Sequence, residues 1–447
     1  MPTSVDLVGI GIGPSNLSLA ALSTSLGKSR LFFDKKSCFN WHSGMLLPFA
    51  QLQVHYLKDC VTLVDPSNEL SFLRFLSKNK RLYQFLNRHN PFVSRNEFNQ
   101  YYQWVISQLD CLHFNAKVRQ VSLKKQQFLI ETHKDKVHTR NLILAIGQKP
   151  YYPKCALPFL SNRVFHANEY LTRIQDQTLT GCKILLVGGG QSGTEIIYHL
   201  LNTQVKTIYW ASKRLNFHPI DNSCFSNEYY TPSYAHTFYN LSKKTRQSLI
   251  DQQLLSSDGI STELADQLYR RIYELKFIEK NETKIFLYPS SNLLSIASSE
   301  QSYYRAQLEH TMTGTSIECA VDMIIFATGY RFEYPDFLEP LRPYLNFESD
   351  HQLKLNFDYS IDARLDQGCK LFVQNAGRHS HGVADPNLSL TAWRSAMILN
   401  SIMSDTIYDP KPDHALFEKT YNSTYVQRNN IDNHSYETAE EYVHTAL

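Results

Sequence analysis

The sequence lacks the cysteine spacings that bind zinc or form a redox-active disulfide. Its eight cysteines are scattered along the chain, and none of them belongs to a C-x-x-C pair. A dispersed set of this kind is typical of thiols that stay reduced and mostly buried. We therefore expect no metal site and no dithiol chemistry.

The sequence also lacks long apolar runs and a large excess of one charge. No stretch of about 18 apolar residues occurs, so no membrane-spanning helix is expected. The formal net charge is only +3, too little to indicate nucleic acid as a partner. The chain begins Met1-Pro2-Thr3-Ser4 and enters an apolar segment with no basic or apolar leader. These absences predict a cytoplasmic protein whose partners are small molecules.

The first informative motif is a glycine loop between an apolar strand and a helix. Residues 5–21 read VDLVGIGIGPSNLSLAA. Glycines let such a loop approach a pyrophosphate closely, and the helix N-terminus that follows attracts the anion. By itself the loop also fits an ordinary strand-to-helix turn, since the usual third glycine is replaced. The residues predicted to bind a dinucleotide here are Gly9, Gly11, Gly13, Pro14, Ser15 and Asn16.

An acid at the end of the next strand favours the dinucleotide interpretation. Asp34 closes the run Leu31 to Phe33, about 20 residues after the loop, where a ribose diol is usually bound. No arginine takes its place, so the predicted ligand carries no 2′-phosphate.

A second strand, glycine loop and helix begin at Lys183. Here the glycine pattern is complete, and the residues predicted to bind a nucleotide are Gly188, Gly190, Gln191, Ser192 and Gly193. The following strand ends in Ser212, Lys213 and Arg214, and two cations with a hydroxyl suit a 2′-phosphate. The alternative is that these cations are only solvated loop charges.

Two loops of this kind predict an α/β fold with two Rossmann-like dinucleotide-binding domains. At 447 residues the chain is large enough for two or three domains. We predict an FAD domain from residues 1–165 and 331–447 and an NADPH domain from residues 166–216 and 278–330. The aromatic, polar segment 217–277 is predicted to be a helical, substrate-binding insertion.

The two predicted cofactors narrow the chemistry. Without a dithiol beside the flavin, O2 is the natural acceptor for electrons from NADPH, and a C4a-hydroperoxyflavin would pass its distal oxygen to a nucleophile. Two other classes stay open. One is an NADPH oxidase or flavin reductase that releases peroxide, and the other is a nucleotide-sensing protein without chemistry.

Motifs between Val5 and about Met403 resemble the N-hydroxylating flavin monooxygenases of siderophore biosynthesis, which act on lysine, ornithine or diamines. The resemblance implies a small amine substrate, O2, and a homo-oligomer, either a tetramer or a dimer. The segments that carry it are 11–16, Trp41-His42-Ser43-Gly44-Met45, Leu57-Lys58-Asp59, 188–193, Asn227-Glu228-Tyr229, Ala327-Thr328-Gly329-Tyr330, His381-Gly382 and Leu388-Ser389.

The resemblance also implies roles for individual residues. Gln53, Asn227 and Ser389 are expected to act in catalysis: Gln53 at the flavin ring, Asn227 between the substrate and the nicotinamide ribose, and Ser389 near the substrate amine. Lys58 is expected to meet the amino-acid end of the substrate. Further residues expected to bind cofactor are Trp41, His42, Met45, Thr328, Gly329 and Leu388. The alternatives are core packing for Trp41 and Met45, a surface cation for Lys58, and a hydrogen-bonded loop role for His42.

The insertion carries the evidence on which amine is hydroxylated. Ornithine enzymes have an N-Y-S sequence that helps to hold the substrate carboxylate, and Ser256 stands here where that asparagine is expected. Asp258 would suit a second ammonium group. The sequence therefore favours putrescine or cadaverine, with lysine as the alternative and ornithine behind it.

Overall fold

A computed structural model describes residues 3–279, 282–298, 303–349, 352–365, 368–409 and 416. Its strands are β1 Thr3–Ser4, β2 Leu7–Ile10, β3 Arg30–Phe33, β4 Leu112–His113, β5 Gln120–Lys124, β6 Gln127–Glu131, β7 Lys136–Thr139, β8 Asn141–Leu144, β9 Lys149–Pro150, β10 Val164–His166, β11 Lys183–Val187, β12 Thr207–Ala211, β13 Lys284–Tyr288, β14 Ser291–Ser298, β15 Tyr304–His310, β16 Ser316–Val321, β17 Met323–Phe326, β18 Tyr330–Arg331, β19 Phe347–Ser349, β20 Gln352–Leu353 and β21 Lys370–Val373. Its helices are α1 Pro14–Leu22, α2 Phe72–Lys78, α3 Leu82–Leu86, α4 Arg95–Ser107, α5 Tyr170–Ile174, α6 Gln191–Leu200, α7 Cys224–Asn227, α8 Pro232–Tyr239, α9 Lys243–Gln252, α10 Leu254–Asp258, α11 Thr262–Tyr273, α12 Arg378–His381 and α13 Thr391–Met403.

The first glycine loop belongs to a parallel sheet with strand order β21-β8-β2-β3-β4. Alternate residues of its strands enter two apolar clusters, one on each face. Leu7 and Ile143 face one side, while Val8 and Leu142 face the other. The near-continuous apolar strands in the sequence follow from this, because each face is covered.

The second glycine loop belongs to another parallel sheet, with order β10-β17-β11-β12-β13. Its strands alternate in the same way: Ile184 and Ile325 face one cluster, and Leu185 and Ile324 the other. In both sheets the glycine loop follows a central strand at its carboxyl end, where doubly wound sheets bind ligands. The predicted α/β class with two dinucleotide-binding units is confirmed.

Between β13 and β17 in the chain, three strands, β14 to β16, form a separate antiparallel sheet. The sequence argument did not predict them. Residues 217–277 contain helices α7 to α11, as expected for the insertion. The domain boundaries themselves stay predictions, and most of the segment after Asp409 lies outside the described residues.

Within the part of the chain that the structure describes, each helix is too short or too polar to cross a membrane.

Candidate active site

The first glycine loop leaves open space beside the start of α1. Gly11 has φ 91°, and a Cβ there would lie 2.3 Å from the carbonyl oxygen of Ala145. By contrast, a Cβ on Gly13 would meet nothing within 4 Å, so space is open beside the first turn of α1. Pro14 begins that helix and Gly13 supplies no capping side chain, which leaves the first amide groups free to bind an anion.

Asp34 holds this loop in place. Its Oδ2 accepts a hydrogen bond from the backbone amide of Ile12 at 2.8 Å, and its Oδ1 accepts one from the amide of Lys36, also at 2.8 Å. Each oxygen keeps a second lone pair with which a ribose hydroxyl can bond. The structure therefore gives Asp34 a supporting role for the loop beside its predicted role toward the ribose.

Asn16, in the place of the third glycine, links the loop to the end of β21. It is fully buried, and its Nδ2 donates to the Gly11 carbonyl oxygen at 2.8 Å. Its Oδ1 accepts from Gln374 Nε2 at 3.0 Å. Gln374 Oε1 accepts from Arg394 Nε at 3.2 Å, and Arg394 forms a buried ion pair with Asp385. A glycine could not make this connection.

Gln374, Arg394 and Asp385 were not predicted from the sequence. One signal was available, since Arg394 stands in the largely apolar helix α13. A buried charge is rare unless it is paired.

The second loop is packed more tightly. Gly188 has φ 134°, and a Cβ there would lie 2.2 Å from the Ala327 carbonyl oxygen. A Cβ on Gly193 would lie 2.3 Å from the Gly188 carbonyl oxygen, so the third glycine lets α6 pack against the loop. Gly190 is the residue before α6, and Gln191 and Ser192 form its first turn.

The three residues predicted to bind the 2′-phosphate come directly after β12. The Ser212 hydroxyl lies against Gly189 of the second loop and accepts a bond from the Arg214 amide at 3.2 Å. Lys213 is exposed. Arg214 Nη1 donates to the carbonyl oxygen of Asp258 at 2.7 Å, which leaves its other N–H groups available.

We expect Lys213→Ala and Arg214→Ala each to raise KM for NADPH about tenfold or more, because a hydrogen bond to a charged group contributes about 1.5–3 kcal/mol. KM for NADH should not change. The measurement is anaerobic flavin bleaching by each nucleotide. Lys206→Ala, which removes an exposed lysine at the other end of β12, is the control. Equal losses with NADH and NADPH would contradict the assignment.

The segment Trp41 to Met45 packs against protein side chains. Trp41 contacts Tyr102 edge-on, with ring centroids 5.3 Å apart, and Met45 is 2% exposed within the core beside the second sheet. His42 is exposed and has φ 53°. These positions fit the packing alternative for Trp41 and Met45. Their predicted contacts with cofactor stay predictions.

Gln53 bridges parts of the site that are far apart in sequence. Its Nε2 donates to the Gly259 carbonyl oxygen at 3.1 Å and to Gln191 Oε1 at 3.3 Å. Gln191 Oε1 also accepts from the Ser261 amide at 2.8 Å. Gln53 therefore touches both α6 of the second nucleotide unit and the insertion.

Lys58 and Ser389 come together although 331 positions separate them. Lys58 Nζ donates to Ser389 Oγ at 2.9 Å and lies 5.5 Å from the centre of the Tyr230 ring. Burial lowers the pKa of Lys58. Among the described residues no carboxylate lies within ion-pair distance of Lys58, so this partly buried cation has no protein counter-ion there.

Asp59 fixes the backbone that presents Lys58. Its carboxylate is 3% exposed and accepts bonds from the amides of Val61, Thr62 and Phe72 and from the Thr62 hydroxyl. Burial raises the pKa of Asp59, and these hydrogen bonds oppose the rise.

Asp258 has a basic partner that the sequence did not reveal. Arg378 Nη2 lies 2.9 Å from Asp258 Oδ2, and Ser257 Oγ donates to the same oxygen at 2.8 Å. The charge of the predicted ammonium-binding acid is thus already balanced.

The remaining predicted residues are placed as follows. Asn227 is exposed, and its Nδ2 donates to the Asn222 carbonyl oxygen at 3.1 Å, whereas Tyr230 of the same segment reaches Lys58. Leu388 packs against the apolar cluster of the first sheet. Thr328 donates to the Tyr151 carbonyl oxygen, and Gly329 has φ 83°, where the chain crosses between the sheets.

The fold and site together define a protein with two dinucleotide-binding units and a shared helical insertion. The open space beside Gly13 and the free amides of α1 suit one pyrophosphate, and the loop before α6 with Lys213 and Arg214 suits a phosphorylated one.

Comparison with known proteins gives the family. A model described as L-lysine 6-monooxygenase/L-ornithine 5-monooxygenase matches residues 3–332. L-lysine N6-monooxygenase of Escherichia coli is 36% identical over 424 residues, which cover 94% of this chain and 99% of the relative. Putrescine N-hydroxylase of Shewanella oneidensis is 34% identical over 427 residues, covering 92% and 82%.

Two solved structures of similar fold belong to the same group of N-hydroxylating enzymes. The cadaverine monooxygenase of desferrioxamine biosynthesis from Erwinia amylovora, bound to FAD, has a TM-score of 0.88 and 28% identity over 94% of this chain and 99% of that one. The ornithine N-hydroxylase of Kutzneria sp. 744, with reduced FAD, NADP+ and L-ornithine, has a TM-score of 0.84 and 26% identity over 90% and 99%. The chain belongs to the L-lysine 6-monooxygenase/L-ornithine 5-monooxygenase family and is a flavin-dependent N-monooxygenase, which confirms the predicted resemblance and enzyme class.

Proposed function

We propose that the protein hydroxylates the terminal amine of L-lysine, using O2, for siderophore biosynthesis. Its cofactors are FAD and NADPH. The observation that carries the choice of amine is Lys58, a partly buried cation whose described partners are a hydroxyl and an aromatic ring. A substrate carboxylate would supply the missing counter-ion, and a charge-assisted bond of this kind is strong.

The residues of this chain bind and orient, while the bound flavin supplies the redox and oxygen chemistry. The glycine loops hold the two pyrophosphates. Lys58 holds the carboxylate end of the amino acid, Ser389 orients the Lys58 ammonium by accepting one of its hydrogen bonds, and Asp59 keeps the Lys58 backbone in place. The substrate amine needs a free lone pair, and its ordinary pKa is about 10.4. Removing water from the amine would lower that pKa and favour the neutral form.

A diamine is the second candidate, and Asp258 is the residue that favours it. Its ion pair with Arg378 weakens the argument, since a carboxylate already balanced by a guanidinium attracts a second ammonium less. With Lys58 included, these three side chains carry one net positive charge. That charge favours a substrate with a carboxylate.

Lysine and cadaverine form a matched pair for the test, because they differ only in the carboxylate. We expect kcat/KM for hydroxylamine formation to be about 30-fold or more higher with lysine, the effect of a charged hydrogen bond of about 2 kcal/mol. Putrescine and ornithine complete the set. Equal or faster hydroxylation of cadaverine would overturn the choice of lysine and support a diamine. NADPH oxidation at one rate with or without amine would support an oxidase instead.

A homo-oligomer stays a prediction that this proposal does not require.

A further inference from the structure

A buried ion pair joins α4, beside the first sheet, to α6, which follows the second glycine loop. Arg95 Nη1 lies 2.7 Å from Glu195 Oε2, and Arg95 Nη2 donates to Glu195 Oε1 at 2.8 Å. The Glu195 side chain is fully buried and that of Arg95 is 12% exposed. Two parallel bonds from a planar guanidinium fix direction as well as distance.

Hydrogen bonds extend this pair to the segment 45–53 and to the helical insertion. Arg95 Nη1 also donates to the Met45 carbonyl oxygen at 3.1 Å. Gln191 Nε2 donates to Glu195 Oε1 at 2.9 Å, and Gln191 Oε1 accepts from Gln53 and from the Ser261 amide. One network therefore connects the segment 45–53, the first turn of α6 and the start of α11.

Stability alone is a weak reason for such a pair. A buried ion pair is often no more stabilising than apolar side chains of similar volume, because both charges lose their hydration. What the two parallel hydrogen bonds add is a fixed direction between the two helices. Here the oriented element is the N-terminus of α6, which carries the nucleotide loop, relative to Met45 and Gln53.

We propose that Arg95 and Glu195 are positioning residues for reduction of the flavin. In that step a hydride, two electrons and a proton, leaves the nicotinamide C4 of NADPH for flavin N5, so NADPH becomes NADP+ and the flavin is reduced. Hydride transfer needs reacting atoms about 3–3.5 Å apart, and a displacement of about 1 Å costs about a hundredfold in rate. The ion pair sets that distance by fixing α6 against the segment 45–53. This inference rests on the proposed function and on the predicted contacts of Met45 and Gln53 with the flavin.

The test replaces both charges with apolar side chains. Arg95→Met and Glu195→Met alone should each lower the unfolding temperature, since each leaves one buried charge without a partner. The double variant should regain most of that stability. Its anaerobic single-turnover reduction by NADPH should nevertheless be slowed about tenfold or more, with unchanged FAD content. In the absence of nucleotide, hydrogen–deuterium exchange of the α6 amides from Thr194 onward, the first of which donates to the Gly190 carbonyl oxygen, should be faster than in the unmodified protein.

A second, partly buried pair provides the control. Arg246 and Glu348 lie 3.4 Å apart, with side chains 12% and 15% exposed, and join α9 to β19. Replacement of both by methionine should leave the rate of flavin reduction and the hydrogen–deuterium exchange of α6 unchanged. A double Arg95/Glu195 variant that is reduced at the unmodified rate would overturn the positioning role. If NADPH failed to reduce the unmodified protein, the proposed function would fail instead. Because reduction is measured without amine, the identity of the substrate does not affect either result.

Discussion

Replacement of Lys58 by methionine is expected to lower kcat/KM for lysine about 30-fold or more, because loss of one partner from a buried, hydrogen-bonded charge pair costs about 2–5 kcal/mol. Methionine keeps much of the length and apolar volume of the lysine stem, so the fold should be retained. NADPH oxidation should continue while hydroxylamine formation falls. The measurement is therefore hydroxylated product per NADPH consumed, over a range of lysine concentrations.

Two comparisons make this result specific. Lys35→Met removes an exposed lysine on the loop after β3 and should leave lysine turnover unchanged. Cadaverine has no carboxylate, so Lys58→Met should leave its turnover unchanged or improve it by removing a repelling charge. If lysine and cadaverine turnover fell equally, Lys58 would act on the fold or on the flavin and not on the substrate carboxylate.

The surroundings of Ser389, which accepts the hydrogen bond from Lys58, also support a carboxylate-binding role for Lys58. Ser389 is 3% exposed, and its amide and hydroxyl both donate to Asn387 Oδ1, at 2.8 and 2.7 Å. Its oxygen is thereby held where Lys58 Nζ can donate to it. A preorganised pair of this kind lowers the cost of ordering a bound carboxylate.

The sequence predicted the elements whose signals are local. A short apolar strand, glycines and a helix start identify both nucleotide units, because loop geometry and strand burial impose those residues directly. Strands β14 to β16 were missed because their pattern is mixed. In β14, Leu294 is 46% exposed while Ser291 is 1% exposed, so polarity does not report which face is buried.

Site residues whose roles depend on distant partners were predicted less well. Asp258 was interpreted as a free acid because nothing near it in sequence shows Arg378, 120 positions away. Glu195 and Arg394 stand in apolar helices, which is itself a signal of buried pairing, but the partners Arg95 and Asp385 are identified only by the fold. Lys58 was predicted from the family resemblance, and the structure adds that no carboxylate of the described residues lies within ion-pair distance of it.

A substitution at Gly13 tests whether the first glycine loop binds FAD, because FAD binding and the stability of the FAD-free protein can be measured separately. A Cβ there meets no protein atom within 4 Å, so Gly13→Ala should fold with an unchanged unfolding temperature in the FAD-free state. The methyl group would occupy the space assigned to the pyrophosphate. We expect FAD affinity to fall about 100-fold or more, equivalent to losing two charged hydrogen bonds of about 1.5 kcal/mol each. Flavin absorbance of the purified protein and titration of the FAD-free protein measure this.

Gly11→Ala should affect folding as well as FAD binding, unlike Gly13→Ala. Residue 11 has φ 91°, and its Cβ would lie 2.3 Å from a backbone oxygen. The substitution should lower the stability of the FAD-free protein as well as FAD binding. Gly27→Ala separates the two causes: Gly27 also has positive φ, 60°, but no neighbour within 4 Å, so it should cost only the strain of about 1 kcal/mol and retain FAD. Full FAD binding by Gly13→Ala would place the pyrophosphate away from this loop. The free amides at the start of α1 would then bind some anion other than the FAD pyrophosphate.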